Sequence, residues 1–367
     1  VTEQDSGGPP PARRGGESRS VLLLMATTFT AAVGFVALAV LVGRAVDSGR
    51  VATISTVSGP LVTRVDAQLV DIDTDLYQDA GRAAGTGMVL SPNGVVLTNN
   101  HVIQGATSIL ATDIGNGRTY VARVVGYDER RDVAVLQLEG ASRLATVTLG
   151  NSATIGTGER IVTIGNAGGV GGRPAARSGT VVGLNESITV GDSIDSSTEH
   201  LGGLIQVDGD LQPGDSGGPM VNGSGSVIGM DTAASTGYEF SQHATGEGFA
   251  IAIDTVRPLA AQIRARHGSA SVHIGPTAFI GVQIDSGTGR RPGATVTGAQ
   301  PGSPAAGAGL GYGDVITALG ATPVRSSTDL TSALVRYRPG EAVSIHWVDS
   351  AGVAHSTTVT LATGPAG

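Results

Sequence analysis

The chain contains no cysteine, and all 23 of its basic residues are arginine, so lysine is absent as well. Without thiols there is no disulfide, no thiolate nucleophile and no cysteine-held zinc, and the composition is mute about redox compartment. Without lysine there is no P-loop, no Schiff base and no Ser-Lys dyad, because each needs an ammonium or a titratable amine. Aromatic residues make up only 3% of the 367 positions. The seven histidines form no H-E-x-x-H or comparable pair, so neither a metal nor a cofactor is expected. A formal net charge of −8 argues against a nucleic-acid partner, since a phosphate backbone calls for a basic face.

What is abundant is glycine, at 57 residues, spread among short apolar runs with few stretches of helical periodicity. That pattern indicates a turn-rich β protein, and the length allows two or three domains. Residues 1–20 are Pro, Gly, Ser and Arg and read as a disordered tail. Residues 21–43 carry no charge. As a helix they would reach roughly 35 Å at 1.5 Å per residue, enough for a hydrocarbon core of about 30 Å. This run is read as an uncleaved transmembrane anchor, the alternatives being a buried helix and a cleaved signal peptide. Arg13, Arg14 and Arg19 precede it and Arg44 and Arg50 follow, a slight excess that puts the tail in the cytoplasm and the rest outside the cytoplasm at the cell membrane.

Residues 44–61 form a polar linker, and 62–267 a β-rich domain whose first strands begin at 62–73. Strands are expected at 89–90, 95–98, 120–125 and 133–138, then at 160–164, 180–184, 204–207, 227–231 and 248–253. Two sets of similar size suggest two packed barrels. One amphipathic helix is expected at 254–266, followed by a linker at 268–276 and a third β-rich unit at 277–362 with a helix at 329–336. The glycine-rich run 165–172 lacks the lysine of a phosphate loop and reads as a mobile hairpin loop.

The chemistry centres on Gly214-Asp215-Ser216-Gly217-Gly218-Pro219. A serine hydroxyl needs a base to take its proton and donors to hold the oxyanion, and flanking glycines let consecutive N–H groups turn toward one point. His101 ends a strand-like run in Leu97-Thr98-Asn99-Asn100-His101, and Asp132 opens the apolar run 133–138. The order His101, Asp132, Ser216 is that of the chymotrypsin-type fold, with the first two in one barrel and the serine in the next.

Together with Gly85-Thr86-Gly87 and the blocks 206–219 and 248–253, these motifs resemble the HtrA/DegP family of trypsin-like serine proteases, most closely its actinobacterial, PepA-like members. The resemblance covers roughly residues 62–362. It implies a mainly β chymotrypsin-like double barrel followed by a PDZ domain, with His101 as general base, Asp132 as its orienting carboxylate and Ser216 as nucleophile. It further implies an oxyanion hole from the N–H groups of Gly214 and Ser216, with Asp215 as a third candidate. Asp231, Thr232 and Ala233 are assigned to the substrate pocket. Asp210 joins them, six residues before Ser216, where trypsin-like enzymes carry the acid that receives Arg or Lys and HtrA relatives usually have Ala. A basic-residue pocket and a small aliphatic preference both stay open.

In the third unit, Phe279-Ile280-Gly281-Val282 matches a PDZ carboxylate-binding loop and the strand onto which a peptide C-terminus adds, supported by the block 301–316. The implied function is a membrane-anchored, extracytoplasmic serine endopeptidase of protein quality control, acting on unfolded or selected proteins. From another class comes a non-proteolytic chaperone or peptide-sensing scaffold, which would be indifferent to Ser216→Ala. Family trimers commonly use aromatic residues just before the protease domain, and residues 44–76 contain none, so the implied homotrimer lacks that support.

Overall fold

The computed structural model describes residues 59–76, 81–192, 198–232, 238–240, 247–285 and 292–366. The expected tail, the apolar run 21–43 and all but the end of the 44–61 linker lie outside the described residues. Within them, no helix is long and apolar enough to cross a membrane.

The described chain opens with a helix and not with the strand expected from residue 62. Helix α1, Pro60–Asp66, starts on a proline, whose fixed φ suits the first helical position, and it buries Val62 and Val65 one turn apart. Strands β1 (Leu69–Leu76), β2 (Arg82–Ser91) and β3 (Val95–Thr98) follow, then a single turn α2 (Asn100–Ile103) and strands β4 (Ala106–Asp113), β5 (Thr119–Asp128) and β6 (Val133–Leu138). They are hydrogen-bonded in the order β5-β4-β1-β2-β3-β6, and a β5–β6 pairing closes the ring. The run Val-Ala-Val-Leu-Gln-Leu in β6 has a physical reason for its near-continuous apolarity. Ala134 and Leu136 point into the barrel, while Val133 and Val135 point out into a second apolar layer. Both faces of the strand are therefore buried.

That second layer lies between this barrel and another of the same design. Strands β7 (Arg160–Gly165), β8 (Ala175–Asp192), β9 (Thr198–Asp208), β10 (Pro219–Val221), β11 (Val227–Thr232), β12 (Tyr238–Phe240) and β13 (Glu247–Ala252) pair as β12-β8-β7-β10-β11-β13-β9, closed by β8–β9. Its own interior holds Ile161, Val181, Ile205, Val207, Met220 and Ala250. Helix α3, Ile253–Arg264, begins and ends a little before the expected 254–266 because Arg266 has already turned left-handed, at φ 57°. Its buried face of Ile253, Val256, Leu259, Ala260 and Ile263 joins the inter-barrel layer.

The stretch 268–276, read from sequence as a linker, contains a strand. Strand β14, Val272–Ile274, adds to the first barrel antiparallel to Gly126–Asp128 of β5. The strands approach so closely that a Cβ at Gly126 would lie 2.4 Å from the His273 carbonyl oxygen, which only glycine avoids. His273 is buried, with Nδ1 3.0 Å from the Val335 carbonyl and Nε2 3.2 Å from that of Pro276, so this strand also ties the barrel to the third unit.

The third unit has its own core of Ile280, Val296, Ile316, Leu330, Ile345 and Trp347. Strands β15 (Ala278–Phe279), β16 (Val282–Ile284) and β17 (Ala294–Ala299) are followed by helix α4 (Pro304–Ala308), and then by β18 (Val315–Leu319) and β19 (Thr322–Pro323). Helix α5, Ser327–Leu334, precedes β20 (Ala342–Val348), β21 (Ala354–Thr360) and β22 (Ala362–Thr363). The sheet runs β16-β17-β18-β20-β21, and β15 pairs with β22. Helix α5 starts two residues earlier than expected because the Ser326 hydroxyl caps the Asp329 N–H at 3.1 Å and the Asp329 carboxylate returns to the Arg325 N–H at 2.9 Å. The chain finally returns to the first barrel, where Ala366 exchanges backbone hydrogen bonds with Gly105 and Ala106, just beyond α2.

Candidate active site

His101 sits on the single turn α2 at the end of β3, and Asp132 at the start of β6, so two paired strands present them side by side. Asp132 follows the short 3-10 turn Glu129–Arg131 in a left-handed conformation at φ 52°, which few non-glycine residues adopt without surrounding restraint. The restraint is visible on every side. The Asp132 carboxylate meets His101 Nδ1 at 2.8 Å through Oδ2 and accepts the His101 backbone N–H at 2.9 Å through Oδ1. The Thr232 hydroxyl donates to Oδ2 at 3.2 Å, and the Asn99 amide donates to the Asp132 carbonyl at 3.0 Å. A carboxylate at Nδ1 assigns the proton of a neutral imidazole to that nitrogen, which leaves Nε2 as the basic one.

Ser216 arrives from the second barrel on a turn that only glycine can make. Gly214 and Gly217 have φ of 95° and 83°, and a Cβ on either would come within 2.1 Å of a backbone oxygen, that of Asn166 or of Thr86. Thr86 of β2 stitches the turn to the first barrel. Its N–H donates to the Ser216 carbonyl at 2.8 Å, its hydroxyl donates to the Gly214 carbonyl at 2.8 Å, and the same hydroxyl accepts the Asn166 N–H at 2.9 Å. The Thr98 hydroxyl, at the end of β3 and three residues before His101, in turn holds the Thr86 carbonyl at 2.8 Å. Among the described residues, the Gly214 N–H has no acceptor.

Asp215 does not offer an N–H to an oxyanion. Its N–H donates to the Gln212 carbonyl at 3.0 Å, and its buried carboxylate faces Arg177 Nη1 at 2.7 Å. The other pocket candidates divide. Thr232 is buried and its hydroxyl serves Asp132, because alternation along β11 turns that side chain toward the first barrel. Asp231, the preceding residue, points the other way and is wholly buried, so it has no open surface to offer. Asp210 stays partly exposed at φ 43°, its carboxylate accepting from the Gln212 amide at 3.0 Å. Ala233 lies outside the described residues.

The glycine run 165–172 leads from β7 into the hairpin connection to the antiparallel β8, as the sequence reading expects, and it is tied down at two points. The Gly168 N–H donates to the Pro213 carbonyl at 2.7 Å, and the Gly172 N–H to the Asp71 carboxylate at 2.7 Å. Burial pushes the Asp71 carboxyl up from the usual 3.8 to about 6, outweighing that hydrogen bond. At roughly 1.36 kcal/mol per unit, ionised Asp71 costs the fold about 3 kcal/mol. The penalty is absent below the unfolded-state value, grows with rising pH and is complete above about 6. Asp71→Asn is therefore expected to raise the unfolding temperature by several degrees at pH 7.5 and to leave it nearly unchanged at pH 3.5. Thermal melts at both pH values check this, and an equal shift at both would refute it.

In the third unit, Gly281 holds φ 78° with a would-be Cβ 2.2 Å from Ser303 Cβ, and its carbonyl accepts the Gln300 N–H at 2.8 Å. Ile280 is a core residue, 1% exposed, so it is the backbone of this loop and not that side chain which faces outward. Phe279 and Val282 are partly exposed. Strand β16, which Val282 begins, is an edge of its sheet among the described residues.

Asn166 and Arg177 escape a reading of the sequence, and Thr86 is visible there only as the middle of the Gly85-Thr86-Gly87 motif, with no role attached. Thr86 is marked by its place between two glycines, whereas an asparagine and an arginine are unremarkable in composition and gain their meaning only from contacts 38 and 80 residues away in the chain.

Residues 85–230 match a trypsin-like peptidase domain and residues 278–348 a PDZ domain. Protease Do-like 1, chloroplastic, of Arabidopsis thaliana is 32% identical over 297 residues, 78% of this chain and 64% of that protein. Serine protease PepD of Mycobacterium tuberculosis is 31% identical over 318 residues, 82% and 66% of the respective lengths. HhoA of Synechocystis sp. is 31% identical over 319 residues and covers 74% of each. The chain thus spans about two thirds of the curated relatives it matches first, and a plant relative is as similar as the actinobacterial one, so the PepA-like branch is not singled out. With two β-barrels, a PDZ unit and these relatives, the chain belongs to the HtrA/DegP family of trypsin-like serine proteases carrying a PDZ domain.

Proposed function

We propose that the protein is a serine endopeptidase in which Ser216, His101 and Asp132 act as a triad. The carrying observation is the double grip of the Asp132 carboxylate on the ring and the backbone N–H of His101, at 2.8 and 2.9 Å. Ser216 Oγ attacks a peptide carbonyl while His101 Nε2 takes its proton. Asp132 stabilises the imidazolium, and the N–H groups of Gly214 and Ser216 receive the oxyanion. The imidazolium then gives its proton to the leaving amine, and water repeats the sequence to release the acyl group.

The PDZ unit would hold a substrate's C-terminus by strand addition to β16, with the backbone of Phe279-Ile280-Gly281 cradling the carboxylate. Its substrates are unfolded or selected proteins. Residues 21–43 anchor the enzyme, with the tail in the cytoplasm and the protease outside it, a reading that rests on the sequence alone. Labelling of the purified protein with a fluorophosphonate, followed by mass mapping, is expected to find a single adduct, on Ser216. An unlabelled folded protein, or an adduct elsewhere, would sink the proposal.

A further inference from the structure

Behind the nucleophile, buried carboxylates gather around one guanidinium. Asp215, next to Ser216, has its side chain 1% exposed, and Arg177 of β8 reaches it with a side chain 12% exposed. The same Asp215 oxygen that meets Arg177 at 2.7 Å also accepts the Gln212 N–H at 2.8 Å. Asp231 lies within electrostatic reach of both, wholly buried, and neither of its oxygens has a hydrogen-bond partner among the described residues. Its backbone meanwhile clamps the far side of the turn, accepting the Gly217 N–H at 2.9 Å and donating to the Gly218 carbonyl at 2.8 Å. Asp210 lies near enough to push the Asp215 carboxyl further up. Burial is the largest influence on both Asp215 and Asp231, and each carboxyl sits above the usual range despite Arg177.

A buried pair of this kind is no better for folding than an apolar pair of the same volume, but losing one partner strands the other's charge. Here the stranded group would be joined covalently to the nucleophile. Asp215 ties Gln212 to Ser216 through its carboxylate, its N–H and the chain itself, so its relaxation moves the peptide units on either side of Gly214. Arg177 is held against such movement, because its backbone pairs with Thr163 of β7, which pairs in turn with Met220 of β10 just past the nucleophile turn.

We propose that Arg177 is a positioning residue which, through its ion pair with Asp215, holds residues 212–216 in the shape that aims the Gly214 and Ser216 N–H groups at the reacting carbonyl. The assignment rests on the triad reading above. It concerns a residue that touches no substrate, so its signature is a fall in kcat and in affinity for a tetrahedral adduct, with KM little changed.

The test is a cycle of Arg177→Met, Asp215→Asn and the double variant, with Arg177→Lys as the conservative change, each assayed on an unfolded protein substrate and with a peptide aldehyde. Arg177→Met is expected to lower kcat and aldehyde affinity in parallel by about tenfold to a hundredfold, less than the roughly hundredfold to thousandfold cost of removing an oxyanion donor outright, because the donor is displaced and not lost. In the Asp215→Asn background, where no charge is stranded, the same change is expected to cost less than about threefold. Arg177→Lys should recover part of the loss. Equal losses in both backgrounds, or a folded Arg177→Met protein within twofold of wild type, overturn the assignment. Should Arg177→Met fail to fold, rescue of folding and turnover in the double variant supports it, and failure of both overturns it. Wild type that takes no fluorophosphonate and cuts nothing sinks the triad reading instead, which keeps the two failures apart.

Discussion

Ser216→Ala is expected to lower kcat on an unfolded protein substrate by about a millionfold, and His101→Ala by about as much, with the double variant no worse than either. The lack of additivity is the informative part. A serine without its base is a poor nucleophile, and a base without its serine has no proton to take, so each deletion removes the same step. What remains over the uncatalysed reaction, about a thousandfold or more, belongs to substrate binding and the oxyanion donors. Folding should be untouched, because the Ser216 carbonyl keeps its bond from the Thr86 N–H and the Gly214 and Gly217 turn is unchanged. Single-turnover kinetics beside thermal melts on the three variants make the check. Additive losses would mean that the two residues do not act as one unit.

The parts legible in the sequence were those whose reason is local. The β6 run is visible as a strand because five of its six residues are apolar, four of them in a row, as a strand buried on both faces demands. Ser216 could be seen because its turn demands glycine at 214 and 217, and the demand is written in the chain as Gly-Asp-Ser-Gly. His101 and Asp132 were found by their order, and their meeting at 2.8 Å follows from the β3–β6 pairing.

What escaped depends on register between distant segments. The service of Thr232 to Asp132 is one such case, since a single step of alternation on β11 decides that it faces Asp132 while Asp231 is sealed inside the second barrel. Arg177 looks like any arginine in a strand, since nothing near it in sequence announces a carboxylate 38 residues on. Strand β14 was hidden because three residues of modest apolarity form a strand only when an open edge is waiting, and that edge is β5, well over a hundred residues back.

Asp132→Asn is expected to lower kcat by about ten thousandfold at neutral pH while KM changes little and the fold stays intact. Asparagine is the right probe because it tolerates the left-handed backbone that Asp132 adopts at φ 52°, whereas most replacements would add strain. The damage comes from counting donors. Three donors converge on the carboxylate: the His101 backbone N–H on Oδ1, and the ring Nδ1–H and the Thr232 hydroxyl on Oδ2. An amide has one oxygen, so if it stays with the backbone N–H its NH2 group must face the imidazole. The ring then relieves the clash of donors by carrying its proton on Nε2, where it can no longer accept one from Ser216. The opposite flip keeps the ring tautomer but sets the NH2 group against the His101 backbone N–H, which displaces the turn α2 that carries the ring. Either outcome removes a correctly placed base, and neither touches the Asn99 amide that holds the Asp132 carbonyl at 3.0 Å. The loss should therefore appear in kcat with an unchanged melting temperature, and Thr232→Val, which removes one donor and leaves the carboxylate, should cost far less. A loss below tenfold for Asp132→Asn would show that the carboxylate does not set the tautomer of His101.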